Sequence, residues 1–494
     1  FELSVIERAY PDLTWADDVW HCVIEEFFET YRFALAEPTG SDEHDAIDPE
    51  VLGKVFEGLM YGDRRNASGS FYTPRGLVTE MVERAILGHL AAHLDVDDAI
   101  LSAWLTTHEE SEPVTIDVAM LREALEALTI LDPAAGTGAF LMETLQLLRS
   151  LWGRLRACGE EGPNPDTYAG VRQMIHDHLH GVDRDVTAIR LCELRFWLAL
   201  LGTLPRDLSA MIHKLEPLPN LGHKFSAGDS LLSALDLNGA RDATGGAWSG
   251  ELSRDVFGDL VDEIAALHER HLMSHGAAKQ ALRTQLEARE RELFEKILTA
   301  RSERLRERMK PLELLASSKD LFDQPNELTP SQRDALDNLQ KEVDAIQALC
   351  GRAQGSPGFC FELRFARVMA RGGFDVIITN PPWVRATKQD PVRKKLYAGR
   401  YTSGEGKLWR DASACGVRAT FGSQVDLATL FIERSLELLA TDGRLCALVP
   451  SKLLRALHGA GLRGVMAEHH LIGIEDLSGS DQHLFDATTY PMIL

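Results

Sequence analysis

The sequence predicts an α/β fold: a mostly parallel sheet clothed in helices, preceded by a helical region and interrupted by a helical insertion. Three observations carry that expectation. Short apolar strands end on acidic or turn-forming residues and lead directly into helical patterns, as parallel strands joined by crossover helices do. One of these junctions is a glycine-rich turn, Asp132-Pro133-Ala134-Ala135-Gly136-Thr137-Gly138. Another strand, Val376 to Ile378, is β-branched and is stopped sharply by two prolines, which cannot extend a sheet ladder.

Residues 1–115 read as helical. Apolar residues recur at helical spacing between Trp15 and Leu35 (Val19, Cys22, Val23, Phe27, Tyr31) and again at Val51, Val55 and Leu59. Pro74 stands just before a helix expected over Leu77 to Leu90. The first strand, Thr129 to Leu131, then meets the glycine turn and a helix from Leu141 to Leu148. Gly136 and Gly138 let the backbone approach a ligand at a helix amino end. A lone G-x-G is weak evidence, and the absence of Gly-Lys-Ser/Thr disfavours a phosphate-cradling loop. Asp132 instead offers a carboxylate to an amino group or cation beside those glycines. Residues 149–167 are expected as a surface excursion.

A second strand, Leu179 to Val182, ends on Asp183 and feeds a helix from Val186 to Leu200 with Asp185 as its N-cap. At a strand end, Asp183 could accept from both hydroxyls of a ribose. A third strand, Phe225 to Ala227, ends near Asp229, within reach of an adenine amino group. Each acid alone reads as a cap or turn residue. Their succession behind a glycine turn points to a ligand.

Glycines between Asn238 and Gly250, and again from Gly351 to Gly358, bracket a charged and largely helical stretch. Leu282, Leu286, Leu293 and Ile297, then Leu336, Leu339, Val343 and Ile346, keep core spacing, which predicts a helical hairpin or short antiparallel coiled coil. Beyond it, Phe374-Asp375-Val376-Ile377-Ile378-Thr379-Asn380-Pro381-Pro382-Trp383 presents an Asn at the carboxyl end of a strand, where open α/β sheets hold ligands. The Asn380 amide oxygen and the Pro381 carbonyl can both accept from one exocyclic amino group. Trp383 offers a flat face to a base extruded from its helix.

This order of motifs resembles the adenine-specific DNA methyltransferases that use S-adenosylmethionine, over roughly residues 50 to 494 apart from the insertion. Within that resemblance, Gly69-Ser70-Phe71-Tyr72-Thr73-Pro74-Arg75 is similar to the family's leading cofactor motif. Asp132, Pro133, Gly136 and Gly138 match its glycine turn, Asp183 its ribose acid and Asp229 its adenine-binding acid. Asn380, Pro381, Pro382 and Trp383 match its catalytic motif, with Trp where Tyr or Phe is commoner. Gln424 to Leu439 and Gly443 to Pro450 resemble the helix-strand unit that follows, and Phe485 the aromatic closing the other face of a flipped base. The resemblance implies a Rossmann-like seven-stranded sheet, S-adenosylmethionine as cofactor, and double-stranded DNA as partner. It is nearest to large restriction-modification and phage-defence methylases, with type I modification subunits close behind, so further defence-system or specificity subunits are implied partners. The chain accordingly divides into 1–115, a cofactor half 116–240, the insertion 241–355, and a catalytic half 356–494.

Composition bounds the rest. The 494 residues carry a formal charge of -23, awkward for a DNA enzyme. Basic residues are concentrated after the catalytic motif: Arg385, Lys388, Arg393, Lys394, Lys395, Arg400, Lys407 and Arg410 face only Asp390 and Glu405. Interleaved with Tyr397, Tyr401 and Trp409, this run reads as a local DNA contact. The cysteines occur singly, without C-x-x-C, a reduced cytosolic pattern without structural zinc. His176, His178 and His180 lead straight into a strand and read as core or surface histidines. No metal and no membrane span is expected. The chain begins at Phe1 and stops where a strand should follow Phe485, so a target-recognition region is expected beyond it. Two rival readings share these motifs: a non-catalytic methylase-fold subunit that senses DNA with a partner, and a protein glutamine methyltransferase.

Overall fold

A computed structural model describes residues 32–33, 46–47, 73–106, 116–204, 218–233, 254–318, 328–352, 358–401, 403, 425–456, 459–477 and 490–494. Seven strands form one sheet: β1 (Ile130–Asp132), β2 (Leu179–Asp183), β3 (Phe225–Ala227), β4 (Phe374–Thr379), β5 (Leu439–Pro450), β6 (Glu475–Asp476) and β7 (Pro491–Ile493). Their spatial order is β3-β2-β1-β4-β5-β7-β6. The pairings from β3 through β5 are parallel, while β7 runs antiparallel to both β5 and β6. The sheet is therefore mixed, and the expectation of a mostly parallel sheet needs correction at this edge. There β7 lies between β5 and the outermost strand β6 and pairs antiparallel with both.

The helices that matter to the sheet are α1 (Arg75–Leu94), α2 (Asp98–Thr106), α3 (Val118–Ala127), α4 (Ala139–Ala157), α5 (Tyr168–His178), α6 (Val186–Leu201), α7 (Arg254–Leu272), α8 (Gly276–Ser317), α9 (Pro330–Arg352), α10 (Pro391–Arg400) and α11 (Leu427–Leu438). Period-two alternation sends Ile130, Val376 and Ile378 to one face and Leu131 and Ile377 to the other. The first face is covered by α1, α3, α4 and α6, through side chains such as Met81, Ile86, Leu125, Leu145 and Phe196. The second is covered by the insertion together with residues 360–369, among them Phe361, Phe365 and Met369. Phe257, Leu260, Ile264, Leu293 and Ile297 join Leu131, Val182 and Ile377 in a single apolar cluster.

Among the described residues the insertion thus holds three helices rather than a two-helix hairpin, and α7 is part of the core. Its expected apolar stripes, including Leu282, Leu286, Leu339, Val343 and Ile346, are buried. Two other expectations are revised. Residues 149–157 continue α4 and bury Leu151, Trp152 and Leu155, so the surface excursion is limited to the turn before Thr167, the N-cap of α5. Arg32–Phe33 is a two-residue strand paired with Ala46–Ile47, inside the stretch expected to be helical through Leu35. The helical apolar spacing ends at Tyr31, and Pro38 and Gly40 follow. Residues 1–31 lie outside the described residues.

A staple fixes the centre of the sheet. Asp375 Oδ2 accepts from both the Thr129 backbone N–H (2.8 Å) and the Thr129 hydroxyl (2.7 Å), locking β1 against β4 at their amino ends. The opposite, carboxyl ends of the strands then lie on one edge: Asp132, Asp183, Ala227 and Thr379.

Candidate active site

Asp132 closes β1 and is 1% exposed. Its Oδ1 accepts from the Ala134 N–H at 3.0 Å, while Oδ2 has no hydrogen-bond partner. Burial pushes this carboxyl up to about 7, helped by the neighbouring charge of Asp183 and opposed by Ala134 N–H and the Thr379 hydroxyl. The turn that follows is built for close approach. Gly136 (φ 52°) has open space where a Cβ would stand. Gly138 (φ 85°) N-caps α4, and a Cβ there would come within 2.5 Å of Cys192 Sγ. Both positions take the left-handed region that favours glycine. Arg195, buried on α6, donates to the Thr137 carbonyl (2.9 Å) and holds the turn from beneath.

Asp183 closes β2 and is wired to that turn. Its Oδ2 accepts from Gly136 N–H (2.9 Å) and its Oδ1 from Asp185 N–H (2.8 Å), while burial raises its pKa against those two bonds. Asp185 in turn caps α6 by accepting from Thr187 N–H. Asp229 follows β3, with Oδ1 accepting from Leu231 N–H (3.1 Å). Its Oδ2 is ion-paired to Arg393 (2.7 Å) and lies 3.4 Å from the Tyr397 hydroxyl.

The leading and catalytic motifs meet directly. Asn380 donates through Nδ2 to the Thr73 hydroxyl (3.0 Å), across 307 positions of sequence. Thr73 is buried, and Pro74 caps α1. Glu143 on α4 accepts from Thr79 on α1 (2.8 Å), clamping the leading segment to the helix after the glycine turn. Pro381 is buried and Pro382 half-buried. The Trp383 indole N–H donates to the Leu448 carbonyl of β5 at 3.3 Å, holding a half-buried ring at the strand ends. Tyr72 and Phe485 lie outside the described residues.

The basic run divides. Asp390 caps α10 by accepting from Val392 and Arg393 N–H, with Pro391 at the first helical position. Arg385, Lys388 and Lys395 are exposed. Lys394 is half-buried and donates to the Ala386 carbonyl (3.3 Å), and Arg393 turns inward to Asp229. Arg400 corrects the sequence reading: it is 4% exposed and bound to Glu437 through two nitrogens at 2.9 and 2.6 Å. Arg434 joins the same carboxylate (3.0 Å). Such a buried bidentate pair holds α10 on α11 and leaves nothing for phosphate. Tyr397 and Tyr401 are likewise core residues, the latter donating to the Leu231 carbonyl at 2.6 Å. Lys407, Trp409 and Arg410 lie outside the described residues.

His178 and His180 are buried in β2's approach and bond through Nδ1 to the Leu128 and Ile130 carbonyls. Among the described residues no group of three His, Cys, Asp or Glu is placed to hold a metal, and no helix is long and apolar enough to cross a membrane. Sequence reasoning missed Thr379, whose hydroxyl lies beside Asp132, and Asp375, whose polar side chain within a β-branched strand was the available signal.

Comparison with known proteins gives this arrangement relatives. A curated protein of Methanocaldococcus jannaschii, provisionally named a type II restriction enzyme and methyltransferase, is 23% identical over 481 residues, covering 88% of this chain and 36% of the relative. The type IIL restriction-modification enzyme MmeI, solved in complex with DNA, aligns at TM-score 0.41 and 12% identity, over 100% of this chain and 51% of that one. A nuclease-deletion mutant of the type ISP enzyme LlaGI, bound to a DNA substrate mimic, aligns at 0.41 and 11%, over 90% and 24%. The chain spans about a third of its curated relative and about half or less of these two solved chains. Its residues 177–485 match the family described as Eco57I restriction-modification methylase, and the chain belongs to that family.

Proposed function

We propose that this chain transfers a methyl group from S-adenosylmethionine to the N6 amino group of an adenine flipped out of double-stranded DNA, within a restriction-modification or phage-defence system. The observation that carries this reading is the hydrogen bond between Asn380 and Thr73, which joins the two motifs at an edge where Asp132 and Asp183 end their strands and Asp229 follows β3. The strand order with its single antiparallel β7 supports a Rossmann-like methyltransferase sheet.

The residues present fit the cofactor. Asp132 has a buried carboxylate oxygen without a partner, suited to an ammonium, and the open space over Gly136 admits a ligand against the backbone. Asp183 retains lone pairs for ribose hydroxyls, Asp229 faces the adenine end, and Thr73, Pro74, Pro133 and Gly138 complete the wall, with Tyr72 assigned by its motif. When bound, S-adenosylmethionine supplies an electrophilic methyl group. The chain supplies position. The Asn380 oxygen and Pro381 carbonyl accept both N–H groups of the target amine, drawing its nitrogen toward tetrahedral geometry so that its lone pair is exposed. Pro382 stiffens that turn. Trp383, with Phe485 opposite, stacks the base, at ~1–3 kcal/mol per face. No strong base is required, because the proton leaves after the methyl arrives. Alignment alone is worth effective molarities of ~10⁵ M or more.

The deciding experiment incubates the chain with radiolabelled S-adenosylmethionine and duplex DNA, then analyses nucleosides and protein hydrolysate. Label in N6-methyladenine is expected. Label confined to cytosine or glutamine would sink the adenine assignment.

Two further results follow from the geometry. Thr73→Val should lower kcat about two- to tenfold while leaving DNA affinity unchanged, since one neutral hydrogen bond of ~0.5–1.5 kcal/mol orients the Asn380 amide. Single-turnover kinetics checks it, and an unchanged rate would remove Thr73 from the positioning role. For DNA, the exposed set Arg385, Lys388 and Lys395 is the phosphate surface we assign, with Lys394 beside it and Arg393 held by Asp229. Neutralising all three should flatten the slope of log affinity against log salt by roughly 2–3 units. An unaltered slope would reduce them to solvated surface.

A further inference from the structure

The turn after β3 is held from several sides. Gly228 donates to the Asp183 carbonyl (2.9 Å), and the ring of Phe359 lies against it, leaving no room for a side chain. Ser230 Oγ donates to the Pro133 carbonyl (2.6 Å), which ties this turn to the one after β1. The Ser230 carbonyl accepts from Arg434 of α11 (3.3 Å). The Leu231 carbonyl accepts from the hydroxyl of Tyr401, the C-cap of α10 (2.6 Å). Asp229 therefore projects from an immobilised backbone, between the end of β2 and the glycine turn.

Its side chain is fixed as well. Oδ1 accepts from Leu231 N–H (3.1 Å), and Oδ2 accepts from Arg393 Nη1 (2.7 Å) and lies 3.4 Å from the Tyr397 hydroxyl. These three donors fill most of the roughly four acceptor positions of a carboxylate. The Asp229 side chain is still 20% exposed, so a donor on a ligand can reach it. Arg393 arrives from the first turn of α10, across 164 positions of sequence. A cation there faces the positive end of the helix dipole, so the local structure does not favour it. Its guanidinium is half-exposed yet turned onto Asp229, while Lys395 on the same helix faces solvent. That geometry takes Arg393 out of the phosphate surface and puts it to work on the third acid of the crevice.

We propose that Arg393 is a positioning residue for cofactor selection: by clamping the Asp229 carboxylate it makes the crevice accept a 6-aminopurine cofactor and refuse a 6-oxopurine one. The inference rests on the cofactor reading above. An adenine amino group brings an N–H to the remaining acceptor position. A 6-oxopurine brings a carbonyl oxygen there, and its nearest N–H lies on N1. A carboxylate free to turn would follow that N–H, whereas one held by Arg393 stays where it is. The test is calorimetric titration of S-adenosylhomocysteine and of S-inosylhomocysteine, which differ only in the purine. The wild type should bind the adenosyl compound at least about tenfold tighter, the scale of an unmade hydrogen bond to a charged group. In Arg393→Met that preference should fall below about threefold, mostly through weaker binding of the adenosyl compound. Arg393→Lys, which keeps the charge but not the planar fork, should retain a preference of about fivefold. A residue that merely held the fold would weaken both ligands alike and leave their ratio unchanged. Arg393→Gln repeats the measurement if Arg393→Met fails to fold. No binding of S-adenosylhomocysteine to the wild type would sink the cofactor reading, and this inference with it. Binding without selectivity in the wild type, an undiminished ratio in Arg393→Met or Arg393→Gln, or no recovery in Arg393→Lys would overturn the role of Arg393 and leave the cofactor reading standing.

Discussion

Asn380→Ala is expected to lower kcat for adenine methylation by ~10²–10³ or more, the scale for deleting one preorganised polar group that acts on a reacting atom. Cofactor affinity should stay within about twofold, because Asn380 stands at the end of β4, not in the Asp132–Asp183 turn. The reading depends on this separation of effects. Pre-steady-state methyl incorporation reports the chemistry and calorimetry reports the cofactor. A variant that keeps more than about a tenth of the rate would show that the amine is held elsewhere. Trp383→Ala should be milder, and its deficit should shrink on mismatched duplexes, where part of the unpairing cost is already gone.

Asp132→Asn should trade function for stability. The folded carboxyl titrates at about 7 against an ordinary value of 3.8, chiefly because it is buried. Between those values the folded chain holds a proton that the unfolded chain has released. Stability therefore falls as pH rises from about 4 to about 7 and is level above that. Removing the acid should abolish this slope. The full shift is worth at most ~4 kcal/mol at 1.36 kcal/mol per pH unit, so Asp132→Asn should be the more stable protein at pH 8 and nearly equal to wild type at pH 4. The same change should weaken S-adenosylmethionine by ~1.5–3 kcal/mol, the range for a lost hydrogen bond to a charged group. Urea unfolding at the two pH values, with cofactor titration, checks both halves. Parallel pH profiles for the two proteins would mean that Asp132 does not titrate in this window.

The candidate ligand edge of the sheet was readable because its residues are constrained locally. Glycine at positive φ, proline after a β-branched run and an acid at a strand end all announce themselves over a few residues. The placement of Asp132, Asp183 and Asn380 on one edge follows from those signals together with parallel pairing. What could not be read depends on partners distant in sequence. Arg393 and Arg400 look alike in a run of positive charge, yet one meets Asp229 and the other Glu437, because they stand two turns apart along α10 and so meet different neighbours. Tyr397 and, at the C-cap of the same helix, Tyr401 are buried, a fact the spacing permitted but the charge obscured. The amphipathic stripe of the insertion was visible, but not that its other neighbour would be the sheet itself. The antiparallel β7 has only three residues with no periodicity to read.

The Thr129–Asp375 staple has a consequence for the growing chain. Its two halves are 246 residues apart. At ~5–20 residues per second of synthesis, β1 would wait roughly 12–50 seconds beside β2 with its other backbone edge unpaired. The helices α7, α8 and α9 are made in that interval and fold from near neighbours. Packed on Leu131 and Val182, they would shelter one face of the half-built sheet until β4 emerges. On this account the insertion serves as a built-in escort during translation. Deleting α8 and α9 should therefore increase aggregation of nascent chains arrested before residue 374 far more than that of completed ones, a difference that ribosome-bound sedimentation would detect.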